Sequence, residues 1–176
     1  MRADARRNYD HLVATARAVF AEEGPDASLN EVARRAGVGP GTLYRHFPTR
    51  QALLVAVFRE RIDTLCAHAD DLAAHAAPGE ALRTWLRAVL LHARTDGGLS
   101  ATMASGVDLG FDCHARMRSA ATTLLARAQR AGAVRAEVSA DDLFKLVTGI
   151  AQVADDQSEG ERLLALAVEG VAVHPS

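Results

Sequence analysis

Apolar residues recur every three or four positions along most of the chain, which is the spacing of an α-helix that buries one face. The first such segment predicts a helix over residues 8–23 that ends at Gly24 and Pro25. Its apolar face consists of Leu12, Val13, Ala16, Val19 and Phe20. A face of this size can cover two short helices, so we expect this helix to support the elements that follow it.

The next stretch predicts two short helices joined by a tight turn. Ser28 and Glu31 have the spacing of a capping box, in which each side chain satisfies a free backbone N–H group at the start of a helix. Gly37 predicts the end of this helix, because glycine adopts a left-handed conformation at little cost. The second short helix is predicted to begin at Gly39, with Pro40 in its first turn. Two short helices crossing at such a turn are typical of a helix-turn-helix.

The second short helix is predicted to present a polar face to a partner. Leu43 and Phe47 lie four positions apart and predict its buried stripe. At about 100° of rotation per residue, this orientation turns Arg45 outward. The side chains that flank it are Thr42, Tyr44 and His46. These groups bind phosphate oxygens and base edges, so the face predicts contact with the major groove of DNA, and Arg50 is expected to bind a phosphate on the far side.

A longer helix is predicted from Thr49 to Ala76, where Pro78 and Gly79 follow it. At 1.5 Å per residue it spans about 40 Å, so it should connect a DNA-binding domain over residues 1–50 to a second helical domain over residues 51–176. Four more helices are predicted there. The first carries Leu82 and Trp85 and ends near Asp96, and the second covers residues 113–131. The last two begin at the capping pairs Ser139 with Asp142 and Ser158 with Glu161. Residues 99–114, which Gly106 and Gly110 interrupt, fit a short helix followed by a loop.

The last two helices carry more apolar surface than two helices can bury within one subunit. The residues concerned are Leu143, Leu146, Val147, Ile150, Leu163, Leu164, Ala167, Val168 and Val171. They are interpreted as half of a four-helix bundle between two subunits, with an intramolecular core as the open alternative. DNA binding favours the dimer, because two recognition helices related by a twofold axis read a palindrome.

Charge is distributed unevenly along the chain. The net charge of -2 excludes a uniformly basic nucleic-acid coat. Residues 1–60 carry nine arginines and seven acidic residues, whereas the rest carries eleven basic and fifteen acidic residues. The first region is therefore the one suited to DNA. Two interpretations of Arg2, Arg6 and Arg7 stay open, a flexible arm that reaches the minor groove or a frayed and solvated terminus.

Common catalytic and phosphate-binding motifs are missing from the sequence, so we expect no enzyme and no cofactor. Cys66 and Cys113 form no CxxC pair and no signal peptide opens the chain, which favours the cytoplasm. The longest apolar run, residues 52–58, is shorter than the roughly 20 residues of a membrane span. Two alternative functions stay open: a protein-interaction module, and a metal sensor using Cys66, His68, Cys113 and His114.

Residues 36–57, AGVGPGTLYRHFPTRQALLVAV, resemble the signature of the TetR family of transcriptional regulators. The resemblance implies a base-edge contact from Arg45. It implies phosphate contacts from Ser28, Thr42, Tyr44, His46 and Arg50. The chain departs from the family at Gly39, Pro40 and Gly41, where many relatives place hydrogen-bonding side chains. We therefore expect Arg45 and DNA shape to carry more of the specificity.

The same resemblance implies an all-α fold in which the helix-turn-helix domain is joined by a long helix to a ligand-binding and dimerisation domain. It implies a regulator that binds a double-stranded DNA operator as a homodimer and responds to a small-molecule effector. Repression is the expected mode of action, since it needs only occupancy of a promoter. Candidate pocket residues on the surrounding helices are Trp85, Val89, His92, Met103, Phe111, Met117 and Phe144. Ordinary core packing is the alternative role for each of them. Polar candidates nearby are Asp108, Asp112 and His114, with a solvated loop as the alternative.

Overall fold

The computed structural model describes residues 2–24, 26–95 and 112–172, and this part of the chain forms eight α-helices without a β-strand. The helices are α1 (Arg2–Glu23), α2 (Leu29–Arg35), α3 (Pro40–His46), α4 (Arg50–His75), α5 (Pro78–Thr95), α6 (Cys113–Arg130), α7 (Ala140–Val153) and α8 (Gln157–Val171). The predicted all-α class is confirmed. None of the described helices combines the length and apolar character that a membrane-spanning segment requires.

The chain forms two compact units that divide between Arg61 and Ile62. Helix α4 runs without interruption from Arg50 to His75, so it supplies residues to both units, as the sequence predicts. The division into functional domains at residue 50 rests on the motif alone and stays a prediction.

The first unit is built on the apolar stripes that the sequence predicts. The five stripe residues of α1 are buried, and Leu43 and Phe47 of α3 are 0% and 2% exposed. Gly37 ends α2 with a φ of 67°. Its N–H group donates to the Arg34 carbonyl, and the Val38 N–H donates to the Ala33 carbonyl. These two bonds satisfy carbonyls at the end of α2 and turn the chain toward α3.

Two predicted caps differ in the structure. The Ser28 hydroxyl accepts from the Asn30 N–H group at 3.2 Å, but Glu31 bonds to neighbouring arginines instead of completing a capping box. The last helix begins at Gln157 instead of after Ser158. Its cap is Asp156, whose carboxylate accepts from the Glu159 N–H group at 2.8 Å. Ser158 therefore lies inside the first turn of α8. The predicted box at Ser139 and Asp142 is confirmed.

Helix α1 begins at Arg2 rather than at residue 8, so Arg2, Arg6 and Arg7 are helical and neither open interpretation, a flexible arm or a frayed terminus, matches the structure. Asp4 lies in the first turn, where a negative charge stabilises the positive end of the helix dipole. Arg7 pairs with Asp4, and Arg6 pairs with Asp10 at 3.3 Å. Such pairs three or four residues apart stabilise a helix, so the early residues extend α1.

Helix α5 lies in the core of the second unit. Its buried residues are Ala81, Leu82, Trp85, Leu86, Val89 and Leu90. Trp85 is fully buried, and its indole Nε1 donates to the Leu65 carbonyl at 2.9 Å. Its ring meets the edge of Phe144 with centroids 6.2 Å apart. The only polar atom of this large side chain is thus satisfied inside an apolar core.

Candidate nucleic-acid interface

Helix α3 presents the predicted polar face to solvent. Tyr44 is 46% exposed and Arg45 is exposed, whereas Thr42 and His46 are half-buried. Leu43, between these residues, is completely buried. The structure therefore brings Thr42, Tyr44, Arg45 and His46 together on one short helix whose opposite side packs into the core.

The remaining predicted contact residues lie at the ends of neighbouring helices. Ser28 is exposed and caps α2, and Arg50 is half-buried at the first position of α4. The Thr49 hydroxyl accepts from the Ala52 N–H group at 3.1 Å and so caps α4 directly before Arg50. Among the described residues, Arg45 forms no hydrogen bond or ion pair, which leaves its five donors available to a partner.

The charge around α3 suits an anionic partner. No aspartate or glutamate occurs from residue 32 to residue 59. The same stretch contains five arginines, Arg34, Arg35, Arg45, Arg50 and Arg59. Acidic side chains of α1 and α2 engage Arg34 and Arg35, so Arg45 is the arginine of this stretch on α3 whose charge can attract phosphate.

Two glycines leave open space at the start of α3. A Cβ atom added to Gly39 or Gly41 would meet no atom of the described residues within 4 Å. Gly39 has a φ of -68°, which any residue can adopt. Neither glycine is therefore required by packing or by backbone conformation in this unit.

Sequence reasoning missed Tyr9, which packs beside the end of α3. Its ring lies 5.0 Å from that of Phe47 and 6.3 Å from that of His46, measured between centroids. The contact ties α1 to α3 and restricts the His46 side chain. Tyr9 lies four positions before Val13 on the apolar face of α1, so helical spacing could have revealed it.

An ion-pair cluster also joins α1 to α2, and sequence reasoning missed it. The Arg35 guanidinium pairs with Glu22, with Glu23 at 2.8 Å and with Glu31 at 2.7 Å. Glu31 also accepts two bonds from Arg34. These bonds from Arg34 and Arg35 lower the pKa of Glu31 from 4.5 to about 2. The cluster holds α2, and with it the turn into α3, against the end of α1.

Acid should weaken this cluster through Glu31. Because the pKa of Glu31 is lower in the folded protein than in the unfolded chain, its ionised form stabilises the fold above about pH 5, and this stabilisation is lost as the pH falls toward about 2. Thermal unfolding followed by circular dichroism should show Glu31→Gln less stable than the natural protein near neutral pH. The difference between the two melting temperatures should shrink steadily in acid.

The matched control for this measurement is Glu169→Gln, which removes an exposed carboxylate from α8. Its melting temperature should follow that of the natural protein at every pH. A difference for Glu31→Gln that stays constant across the same pH range would contradict the role assigned to the cluster.

The predicted pocket residues that the structure describes lie in the second unit, and two of them line a cavity. Trp85, Val89 and Met117 are buried, and His92 and Phe144 are half-buried. Met117 and Phe144 line a cavity of about 270 Å³ together with His114, Arg118, Asp141 and Lys145. Met103, Phe111 and Asp108 lie outside the described residues. Asp112 caps α6, accepting from the Ala115 N–H group at 2.8 Å.

The predicted dimer residues are divided between core and surface. Leu143, Val147 and Leu164 are buried within the subunit. The six that remain accessible are Leu146, Ile150, Leu163, Ala167, Val168 and Val171. Two further apolar side chains outside the predicted set are exposed on the same two helices, Val153 at 70% and Leu166 at 56%. Helices α7 and α8 thus carry an apolar surface that this subunit does not cover.

Metal-binding geometry is missing from the described part of the chain. No group of three or more histidine, cysteine, aspartate or glutamate side chains is placed there to hold an ion. Burial raises the pKa of both the Cys66 and Cys113 thiols, which disfavours the thiolate that a metal would need.

Two family models match this chain. Residues 12–57 match the model for bacterial regulatory proteins of the tetR family, and residues 77–173 match the C-terminal domain of SbtR-like transcriptional regulators. HTH-type transcriptional regulators from Staphylococcus aureus are 38% identical over 69 residues, which is 39% of this chain and 37% of theirs. The match thus spans little more than a third of the length of those curated relatives.

Two solved structures resemble the chain over nearly their whole length. A TetR transcriptional regulator from Streptomyces coelicolor is 40% identical, covers 95% of this chain and 99% of its own, and has a TM-score of 0.82. A TetR transcription regulatory protein from Mycobacterium vanbaalenii is also 40% identical, covers 98% of this chain and 99% of its own, and has a TM-score of 0.80.

Proposed function

The chain belongs to the TetR family of transcriptional regulators, and from this premise we propose that it is a homodimeric repressor that binds a palindromic operator and responds to a small molecule. Membership of the family makes the protein a DNA-binding transcription factor rather than an enzyme. Repression is the simpler mode of action, since it needs only that the protein occupy a promoter. We assign the protein to the cytoplasm, where its operator would be.

The observation that carries the DNA proposal is the exposed polar face of α3 within a stretch free of acidic residues. The Arg45 guanidinium projects from the middle of this face and is assigned to a base edge in the major groove. The residues assigned to phosphate are Ser28, Thr42, Tyr44, His46 and Arg50. Phosphate contacts fix the position of the protein on the duplex, whereas the base contact reads sequence.

The dimer proposal is supported by the uncovered apolar surface of α7 and α8. Leu146, Ile150 and Val153 follow one another at helical spacing on α7, and Leu166 is exposed on α8. Packing this surface against the same surface of a second subunit would form a four-helix bundle around a twofold axis. The two copies of α3 would then serve the two halves of a palindrome.

The proposed response to a ligand follows from thermodynamic linkage. A ligand weakens DNA binding only by the difference between its affinities for the two states of the protein. A preference of about 100-fold for the state that cannot bind DNA would oppose operator binding by about 2.7 kcal/mol per site. Helix α4, which supplies residues to both compact units, is the proposed route of coupling.

The division of roles on α3 predicts two different binding defects. A footprint on the DNA that flanks the protein's own gene would supply the operator. Arg45→Ala should lose about 1 to 3 kcal/mol of discrimination at one base pair in each half-site. Tyr44→Phe and Arg50→Ala should instead weaken binding to the operator and to single-base variants of it by the same factor. Fluorescence anisotropy with this panel of duplexes measures both effects.

Two controls accompany the panel. Arg83→Ala removes an arginine from α5 in the second unit and should leave every affinity unchanged. Affinity of the natural protein should fall steeply as salt rises, because phosphate contacts release counterions. Equal losses on every duplex from all three α3 and α4 variants would contradict the assigned roles. An affinity independent of salt would favour the alternative of a protein-interaction module.

The metal-sensing alternative has its own test. Zinc bound at one ion per chain with micromolar affinity would support it. The candidate ligands would then be Cys66, His68, Cys113 and His114. We do not favour this alternative, because the described residues contain no ready set of ligands.

A further inference from the structure

The cavity of about 270 Å³ in the second unit has one apolar side and one polar side. Met117 and Phe144 form the apolar side. The ring of the buried Trp85 packs edge-to-face with that of Phe144, with centroids 6.2 Å apart. The polar side is formed by His114, Arg118, Asp141 and Lys145. Apolar walls with a few convergent polar groups are the usual composition of a small-molecule site, and this volume suits one or two fused rings.

The polar side carries an excess of positive charge. Its one acid, Asp141, already accepts from Arg118 Nε at 3.0 Å, which leaves the other guanidinium nitrogens of Arg118 unused by that bond. Lys145 has no acidic group within ion-pair distance among the described residues. His114 adds a ring N–H donor. No acid of the lining pairs with the Lys145 ammonium, and the nearby Asp142 attracts it from outside the lining.

Two neighbouring acids, Asp112 and Asp142, keep their negative charge but lie outside the lining of the cavity, where each caps a helix. Asp112 accepts from the Ala115 N–H group, and Asp142 accepts from both the N–H and the hydroxyl of Ser139. The cavity residues lie in the first two turns of α6 and α7.

We propose that the effector is a small aromatic carboxylate, held with its ring between Met117 and Phe144 and its carboxylate between Lys145 and Arg118. The inference rests on the proposed ligand response and names the chemistry of the ligand. The carboxylate would complete the ion pairing of Lys145 and accept from Arg118, while the ring would cover the apolar side and meet the edge of Phe144.

The test compares three ligands with the same ring system and different charge: 2-naphthoate, 2-naphthalenemethanol and 2-naphthylmethylammonium. Isothermal titration calorimetry on the full chain should give an affinity for 2-naphthoate at least about tenfold above that for the alcohol, with the cation weakest. Equal affinities for carboxylate and alcohol, or tighter binding of the cation, would overturn the proposal.

Variants then locate the charge. Lys145→Gln should lower the affinity for 2-naphthoate about tenfold and leave that for the alcohol unchanged, whereas Lys145→Arg should retain most of it. Arg83→Gln removes the same charge outside the cavity and should have no effect. Lys145 is exposed, so its variants should fold, and circular dichroism checks this. A loss no greater for Lys145→Gln than for Arg83→Gln would refute the site.

The single lysine of the chain gives an independent readout. Reductive methylation with labelled formaldehyde yields one lysine side-chain signal in the carbon NMR spectrum, and 2-naphthoate should shift it while the alcohol shifts it less. DNA binding is measured on the same preparation. Operator binding without preference for the carboxylate would refute this inference alone, whereas carboxylate binding without any DNA binding would refute the proposed function alone.

Discussion

Glutamate in place of Leu146 and Val153 should convert the protein to a monomer and lower its affinity for a palindromic operator by about 100-fold or more. The two side chains are 39% and 70% exposed in the single subunit, so the double variant should fold normally. In the proposed dimer the same positions would be buried, and two unpaired carboxylates per subunit would carry a large desolvation cost. Loss of the second subunit also removes the second half-site contact.

Analytical ultracentrifugation and operator titration measure this result together. Leu91→Glu is the matched control, because Leu91 is 48% exposed on α5 and lies outside α7 and α8. That variant should remain a dimer and keep its operator affinity. A double variant that stays dimeric, or a Leu91→Glu protein that becomes monomeric, would move the interface away from α7 and α8.

Trp85→Ala should destabilise the second unit by about 3 to 5 kcal/mol, because it removes the largest fully buried side chain and leaves a cavity. Trp85→Phe should cost less, about 1 to 3 kcal/mol, since an aromatic ring remains while the bond to the Leu65 carbonyl is lost. Urea unfolding followed by circular dichroism gives both free energies.

Leu91→Ala serves as the control for the core substitution, with an expected change below about 0.5 kcal/mol at a half-exposed surface position. If Trp85→Phe proved as damaging as Trp85→Ala, the indole hydrogen bond rather than ring packing would stabilise this core. If neither variant were destabilised, Trp85 would not be part of the core described for α5.

Local spacing was sufficient to predict the presence of the helices of the first unit and their buried faces, but not the start of α1. Leu43 and Phe47 are four residues apart, and this periodicity alone fixes which side of α3 is buried. The end of α2 was also predictable, because only a left-handed residue such as Gly37 turns the chain there. Such features depend on a few consecutive residues and need no tertiary information.

The remaining features depend on contacts between distant residues or on competition between neighbouring ones. Arg35 meets Glu22 and Glu23 across 13 and 12 positions of sequence, and no local pattern pairs them. Asp156 and Ser158 are both able to cap α8, and only the structure shows that Asp156 does so. Apart from Met103 and Phe111, which lie outside the described residues, the predicted DNA, pocket and dimer residues now have positions in the structure, and their roles stay predictions.

The open space around Gly39 and Gly41 affects how such a regulator could change its DNA target. Because a Cβ added at either position meets no atom of the described residues within 4 Å, a single substitution can introduce a new donor or acceptor on this part of the surface without displacing its neighbours. On the proposed role of α3, we therefore expect substitutions at these two sites to change operator preference with little effect on stability.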